Sequence, residues 1–197
     1  MTIEISRDRW GISHVKAPDR QAAFEAQGWV AAHDRIWQMD ADRIKAQGRW
    51  AEIVGAKGAK EDAFFRRMRL SEKCMIDWSF LAPDTKEMTE AYANGVNRWL
   101  EANNDQLPGE YDYHDLRPET WEPWHCLAVY KIRHVFMGTL HRKLWRGHLL
   151  ATCGPELVKA MQGNINDDSV IASFDKPTLD LLGGLPEILE ANSELLE

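Results

Sequence analysis

The segment from Gly28 to Gly55 constrains the fold of this chain more tightly than any other part of the sequence. Apolar residues recur there at three- and four-residue steps in two adjacent stripes, namely Trp29, Ala32, Ile36 and Met39, and Val30, Trp37, Ala41 and Ile44. This spacing predicts one long helix that is covered on more than one side. Gly48 and Gly55 favour the ends of helical turns, so a short second helix fits from Arg49 to Val54. Periodicity alone indicates a core helix whose interrupting charges are solvated.

Before this helix, the sequence predicts a short pair of β-strands. Ile3 and Ile5 alternate with polar residues, residues 8–11 form a turn pattern, and an extended pattern resumes from Ile12 to Val15. Two strands cannot bury themselves in water and need a larger sheet to join. The one other stretch with a β pattern runs from Ser169 to Phe174. We therefore expect another polypeptide to supply the sheet.

The rest of the chain is predicted to consist of helices and loops. The predicted helices run from Phe64 to Trp78, from Pro83 through Trp99 and from about His125 to about Leu150, with polar loops at Lys57–Asp62 and Asn103–Arg117. Gly138 lies inside the last helix, where glycine costs about 1 kcal/mol relative to alanine, and it predicts a bend or a close backbone approach. The predicted fold class is mainly α with a short N-terminal strand pair. We divide the chain into a helical domain, residues 1–154, and an acidic helical or linker segment, residues 155–197.

The composition, 44% hydrophobic and 28% charged, is typical of a globular domain with one good core. No apolar run approaches the ~20 residues that a bilayer-spanning helix needs, and the N-terminus lacks the pattern of a secretory leader. We therefore expect no membrane partner and a cytoplasmic location, or a periplasmic one if a leader precedes this sequence. Cys74, Cys126 and Cys153 lack C-x-x-C spacing, which predicts buried thiols and neither a disulfide framework nor a cysteine zinc site.

The charges are unevenly distributed along the chain. Residues 156–197 contain nine acidic residues and two lysines, so they carry the whole net charge of −7. Between Glu122 and Glu156 there is no acidic residue, but there are five basic ones: Lys131, Arg133, Arg142, Lys143 and Arg146. We expect a positive local field along this stretch. A pocket wall for an amphipathic, anionic acyl group and a solvated helix face both fit it, whereas the interleaved aliphatic residues and the acidic chain disfavour a nucleic-acid partner.

The sequence contains no self-contained active site. It lacks the nucleophile-elbow, zincin and phosphate-loop motifs. His134, His141 and His148 are spaced by seven residues, roughly 10.5 Å along a helix, which is too far for two ligands of one metal ion. His33 and Asp34 fit a packed polar pair better than a catalytic dyad, because no serine or cysteine is placed to use them.

Several blocks of sequence occur in a fixed order along the chain. They are R-D-x-W-G-I-x-H-V near the N-terminus, D-R-I-W-Q-M followed by G-R-W-A-E-I-V-G, then Y-A-N-G-V-N-R-W-L, and finally W-E-P-W before the last long helix. In this wording and order the chain resembles the α subunit of the penicillin acylase family of N-terminal-nucleophile hydrolases. The resemblance covers about Ile3 to Gly154, so it is more specific than a single short motif.

The resemblance implies a fold and a reaction that this chain shares with a partner. In that family a precursor cuts itself into an α chain and a larger β chain, which together form a four-layer αββα structure. It therefore implies an obligate heterodimer with a β subunit from the same precursor, and residues 155–197 would precede the cleavage region. The nucleophile would be the N-terminal serine of the β chain, with its own amino group as the base, and no catalytic residue would lie in this chain. The implied substrate is a small-molecule amide between an acyl group and an amine, such as a β-lactam nucleus or another amino compound.

The resemblance also assigns part of the acyl pocket to this chain. Gly138 and Thr139 match the point at which the family's pocket helix breaks, and the positions beside the pocket fall on Met137, Leu140, Lys143 and Leu144. The wording here is closest to the cephalosporin and glutaryl acylase branch, which implies a dicarboxylic acyl group such as glutaryl or succinyl, or an aromatic one. No cofactor is expected. This region lacks an acidic residue before Glu156, so calcium is expected only in the β chain, if at all.

A function of another class also fits the sequence. A non-catalytic helical interaction module could dock an acidic partner through the basic stretch. The two hypotheses differ in what they predict for the isolated chain. A module should be a stable monomer, whereas an α subunit should expose apolar surface that a partner normally covers.

Overall fold

A computed structural model describes residues 2–161 of the chain. Two strands, β1 (Glu4–Arg7) and β2 (Ser13–Lys16), precede helices α1 (Arg20–Ala46), α2 (Ala51–Val54), α3 (Ala59–Met68), α4 (Leu70–Ser79), α5 (Pro83–Ala102), α6 (Gly109–Tyr113), α7 (His125–Met137), α8 (Leu140–Cys153) and α9 (Pro155–Met161). The predicted fold class, mainly helical with an N-terminal strand pair, is confirmed. The predicted strand at Ser169–Phe174 and most of the acidic segment lie outside the described residues.

The chain divides into two compact units. The first ends at His134 and the second begins at Val135, within α7. The predicted domain boundary after residue 154 stays a prediction. None of the helices in residues 2–161 combines the length and the apolar content that crossing a membrane requires.

Helix α1 organises the first unit, as the apolar stripes predict. The Asp19 side chain caps its start by accepting a hydrogen bond of 2.8 Å from the Ala22 backbone N–H. The helix kinks at Arg35, where the backbone leaves helical geometry. Its buried face joins α5 and two later aromatic residues in one core, formed by Ala32, Ile36, Met39, Ala93, Val96, Trp99, Tyr111 and Trp121.

The backbones of α1 and α5 approach each other most closely at a pair of glycines. A Cβ atom at Gly28 would collide with the carbonyl oxygen of Tyr92, and one at Gly95 would collide with the carbonyl oxygen of Glu25. Because the obstructing atoms belong to helix backbones, no side-chain rotation could relieve either clash. The two helices can therefore pack at this distance only with glycine at both positions.

The strands form an antiparallel hairpin in which Ile5 pairs with Val15 and Glu4 with Lys16. Among the described residues this sheet has two strands, as the sequence predicts. Its apolar side chains remain open to solvent, since Ile5 is 43% and Ile12 is 58% exposed. A two-stranded sheet with an exposed apolar surface is marginal by itself, so this hairpin needs a neighbour that residues 2–161 do not supply.

Several predicted loops and helix bounds were wrong. The expected loop at Lys57–Asp62 contains a 3-10 turn, Gly55–Gly58, and the start of α3. The expected helix at Phe64–Trp78 is interrupted at Arg69, which adopts a left-handed backbone with φ 53°. The expected surface loop at Asn103–Arg117 contains α6, whose Tyr111 is completely buried. The predicted bend at Gly138 is confirmed, because α7 ends at Met137 and α8 begins at Leu140.

Two expectations about burial also fail. Three of the charged residues in α1 are buried where periodicity indicated solvation, namely Asp40, Asp42 and Arg43. Their partners, described below, explain how burial is tolerated. The thiols are not uniformly buried: Cys74 is buried, Cys126 is partly buried and Cys153 is exposed, and all three are free.

Candidate functional site

The four predicted pocket residues lie on either side of the helix break in the second unit. Met137 ends α7 and is 81% exposed, and α8 begins three residues later, at Leu140. Leu140, Lys143 and Leu144 lie at i, i+3 and i+4 in the first turns of α8, so they share one face of that helix. Lys143 is exposed and the two leucines are half-buried. The Lys143 backbone N–H donates to the Thr139 carbonyl over 3.0 Å, which closes the first turn after the break.

The predicted positive field of the basic stretch is only partly present. Arg133 donates from Nε to the Asp42 carboxylate over 2.7 Å, and Lys131 forms an ion pair with Asp77. Both carboxylates come from earlier helices. The basic stretch contains no acidic residue of its own, but acidic residues from elsewhere in the chain lie next to it. Arg142, Lys143 and Arg146 are exposed on α8, and within residues 2–161 no carboxylate lies at ion-pair distance from them. Of the basic residues in this stretch, only those of α8 therefore lack an acidic partner within residues 2–161.

His33 and Asp34 form part of a link between the hairpin and α1. His33 Nδ1 lies 2.9 Å from the Asp34 carboxylate, which also pairs with Arg7 of β1. The hydrogen bond from Arg7 contributes most to holding the pKa of Asp34 below its usual value. This arrangement supports the polar-pair interpretation, because the carboxylate is already occupied by a structural cation.

The described residues contain no group of three or more histidine, cysteine, aspartate and glutamate side chains that could hold a metal ion. His134, His141 and His148 are all exposed. His134 lies against the ring of Tyr130 with a centroid separation of 4.6 Å. His134 lies in α7, whereas His141 and His148 lie in α8 after the break at Gly138, so their seven-residue spacing does not follow one continuous helix.

A buried charge network in the first unit was missed by sequence reasoning. Arg43 is 1% exposed. Its Nε donates to Oδ1 of Asp40 over 2.7 Å, and its Nη1 donates to Oε2 of Glu119 over 2.7 Å. The Tyr111 hydroxyl donates to the second oxygen of Asp40 over 3.2 Å. Arg49 also binds Glu119, and its hydrogen bonds contribute most to lowering the pKa of Glu119 to about 2. The i,i+3 spacing of Asp40 and Arg43 could have indicated one pair, but nothing local predicts Glu119 as their partner.

His125 lies beside this network with its ring buried. Its Nδ1 accepts a hydrogen bond of 2.9 Å from the Glu122 backbone N–H, and Nε2 lies 3.3 Å from the Gln47 amide nitrogen. Burial, with a further contribution from the Arg43 charge, lowers the pKa of His125 to about 3. The ring is therefore neutral at physiological pH and fixes the start of α7 rather than transferring protons.

An apolar cavity of 390 Å³ opens at the surface of the first unit, between α1, α5 and the start of α7. Its apolar lining includes Phe24, Met39, Met88, Tyr92, Trp121 and Val129. Gln27 and Cys126 also line it. Burial raises the pKa of the Cys126 thiol to about 11, so this cysteine is protonated and unsuited to act as a nucleophile. Because the cavity forms from three separated segments, sequence periodicity could not have located it.

Comparison with known proteins gives several matches to acylases. The family model described as penicillin amidase matches residues 2–182. A penicillin acylase 2 proenzyme from Pseudomonas sp. (strain SE83) is 41% identical over 152 residues, which are 77% of this chain and 20% of that protein. An acyl-homoserine lactone acylase QuiP from Pseudomonas aeruginosa is 33% identical over 130 residues, which are 66% of this chain and 15% of that protein. The chain thus spans a fifth or less of the length of these curated relatives.

A solved structure matches the fold along nearly the whole chain. It is a thermostable penicillin G acylase from Alcaligenes faecalis, with a TM-score of 0.64 and 25% sequence identity. The match covers 89% of this chain and 98% of the solved chain.

Proposed function

Because the chain belongs to the penicillin amidase family, we propose that it is the α subunit of a self-processed, two-chain amide hydrolase. The nucleophile would be the N-terminal serine of a second, larger chain, with its own amino group as the base. This chain would contribute binding surface and no catalytic group. The substrate would be an amide between an acyl group and a small amine.

One contrast in length carries the two-chain proposal. The segment that matches only 20% of a relative named as a proenzyme matches 98% of one polypeptide chain in a solved acylase structure. A precursor that is cut after the matched segment accounts for both values, because the segment then becomes a separate chain.

The surface of the first unit supports the same proposal. Trp10, Ile12 and Ile5 are exposed on a hairpin that has no further strand among the described residues. An obligate partner that extends the sheet would bury these side chains, as permanent interfaces commonly do.

For the acyl group, we propose that Met137, Leu140, Lys143 and Leu144 border the pocket. Lys143 has no ion-pair partner within residues 2–161, so its ammonium group is available to a ligand. A carboxylate at the far end of a glutaryl or succinyl group would pair with it, while the two leucines pack against the intervening methylenes. A phenylacetyl group would lack this ion pair.

Hydrolysis of two amides tests both levels of the proposal. The mature protein should release the amine from a glutaryl or a phenylacetyl amide, and failure with every acyl group tried would contradict the hydrolase assignment. Lys143→Met removes one charge-assisted contact of about 1.5–3 kcal/mol and should lower kcat/KM for the glutaryl amide by roughly tenfold or more. The phenylacetyl amide should be hydrolysed at nearly the wild-type rate.

Arg142→Met is the matched control for Lys143→Met. It removes the same charge from the neighbouring exposed position, which points about 100° away around the helix. It should leave the ratio of the two kcat/KM values unchanged. If both substitutions changed that ratio equally, Lys143 would act only through the positive electrostatic field of α8. That result would contradict its place in the pocket.

The alternative, an interaction module for an acidic partner, rests on a smaller surface than the sequence indicated. Lys131 and Arg133 are already paired with Asp77 and Asp42. Of the basic stretch, Arg142, Lys143 and Arg146 of α8 remain without an acidic partner in residues 2–161. The apolar surface of the first unit has no role in such a module, which is why we prefer the subunit proposal.

A further inference from the structure

The apolar cavity between α1, α5 and α7 has few polar groups in its lining. Small-molecule sites combine an apolar lining with a few polar groups that fix the orientation of the ligand. Thr89 lines the cavity and has a hydroxyl that could bind a ligand. This hydroxyl already accepts a hydrogen bond from Trp78 Nε1 over 3.0 Å and donates one to the Lys86 carbonyl over 2.9 Å. Trp121 Nε1 is buried and has no hydrogen-bond partner among the described residues, so the lining offers a buried donor that an acceptor of an inserted group, such as a backbone carbonyl, would satisfy.

The same lining is well suited to an apolar side chain of another polypeptide. Met39 and Met88 contribute flexible, polarizable thioethers, which adapt to the shape of an inserted group. Phe24, Tyr92 and Trp121 add aromatic surface. A desolvated pocket that receives one large side chain is a common centre of binding energy in interfaces.

We infer that this cavity anchors the second chain of the same precursor by receiving one of its large apolar side chains. The inference rests on the proposed function. It is supported by the length of the relatives, since four fifths of the proenzyme lies beyond the segment that matches this chain. A second chain of that size can cover a large part of this surface, and burial of the apolar lining would contribute to its binding.

Gln27 gives a way to block the cavity without disturbing the core. It lies at the cavity on α1 and its side chain is exposed, so Gln27→Trp places a large ring over the mouth. Gln21→Trp is the matched control, because Gln21 is also exposed on α1 but does not line the cavity. Each variant is co-expressed, with a tag on this chain, together with the remainder of its precursor. Gln27→Trp should lower the amount of captured second chain at least tenfold relative to Gln21→Trp, the scale expected for losing one buried anchor.

The outcomes separate the two proposals. If the wild-type chain captures no second chain, the proposed function fails. If both variants capture as much as the wild type, the two-chain proposal stands and the anchor inference is wrong. The inference is also wrong if Gln27→Trp captures normally but changes kcat/KM for apolar acyl groups, since the cavity would then bind substrate.

Photo-cross-linking provides a second measurement that does not depend on blocking the cavity. A benzophenone amino acid at position 27 of the mature protein should cross-link to an apolar segment of the second chain, identified by peptide mass spectrometry. A cross-link to this chain itself, a cross-link to a second copy of it, or no cross-link would each overturn the inference.

Discussion

At the scale of single residues, the burial of His125 makes the stability of the fold depend on pH. Its folded-state pKa of about 3 lies below the usual 6.5. Between these values the unfolded chain binds a proton that the folded chain does not, so stability falls as the pH is lowered through this window. Glu119 acts in the same direction at lower pH, because its pKa of about 2 lies below the ordinary 4.5.

As the pH is lowered, the protein should lose stability through His125 before it loses stability through Glu119. Replacing His125 should remove this first loss. His125→Asn keeps a side-chain acceptor for the Glu122 N–H but cannot be protonated in this range. The free energy of unfolding of the wild type should fall between pH 6.5 and pH 5, with a slope approaching about 1.4 kcal/mol per pH unit, and the variant should lack this component. Melting curves of the mature protein across this range check the prediction. The exposed His134→Asn should keep the wild-type slope, and an unchanged slope in His125→Asn would contradict the assignment.

Residue-scale predictions from the sequence succeeded where a single helix carries the information. Of the predicted stripe, Ala32, Ile36 and Met39 are buried and Trp29 is partly buried. They failed where charges have partners that are distant in sequence. Glu119 lies 76 residues from Arg43, and Asp42 lies 91 residues from Arg133, so no local pattern could reveal either contact. The predicted positions of the acyl-pocket residues came from the family resemblance and stay predictions.

At the scale of elements, periodicity predicted that the two longest helices exist, but α1 begins at Arg20, eight residues before the predicted segment at Gly28, and its kink at Arg35 was not predicted. Helices α1 and α5 each have an apolar stripe, and they form the main packing contact of the first unit. The breaks are harder to predict. Arg69 ends α3 in a left-handed conformation that a non-glycine residue rarely adopts, whereas Gly138 marked its break in the sequence. Helix α6 was missed because a single buried aromatic residue, Tyr111, holds a short polar segment against the core.

The glycine contact between α1 and α5 gives the element-scale prediction. Gly95→Ala would insert a methyl group against the backbone of the facing helix, so the two helices must separate. Overpacking of this kind should destabilise the mature protein by about 3 kcal/mol or more and lower its melting temperature by several degrees. Gly109→Ala is the control, because an added Cβ there meets no atom within 4 Å. Equal melting temperatures for the two variants would show that the helices do not cross as described.

At the scale of the whole molecule, two surfaces of the first unit remain uncovered among the described residues. The hairpin exposes apolar side chains beside a two-stranded sheet, and the cavity between α1, α5 and α7 is open. The sequence predicted the first of these, since two strands need a larger sheet. It did not predict the cavity, which depends on the tertiary arrangement. Both features have one explanation if the chain folds as part of a larger, processed protein.

The central claim is that this chain is one product of a self-cutting precursor. Intact-mass spectrometry of the protein purified from its complete gene, combined with N-terminal sequencing, tests it directly. We predict two polypeptides in equal amounts, a smaller one that contains this sequence and a larger one that begins with serine. Replacing that serine by alanine should leave a single uncut precursor without amidase activity. A single uncut polypeptide that hydrolyses the amides would contradict the claim.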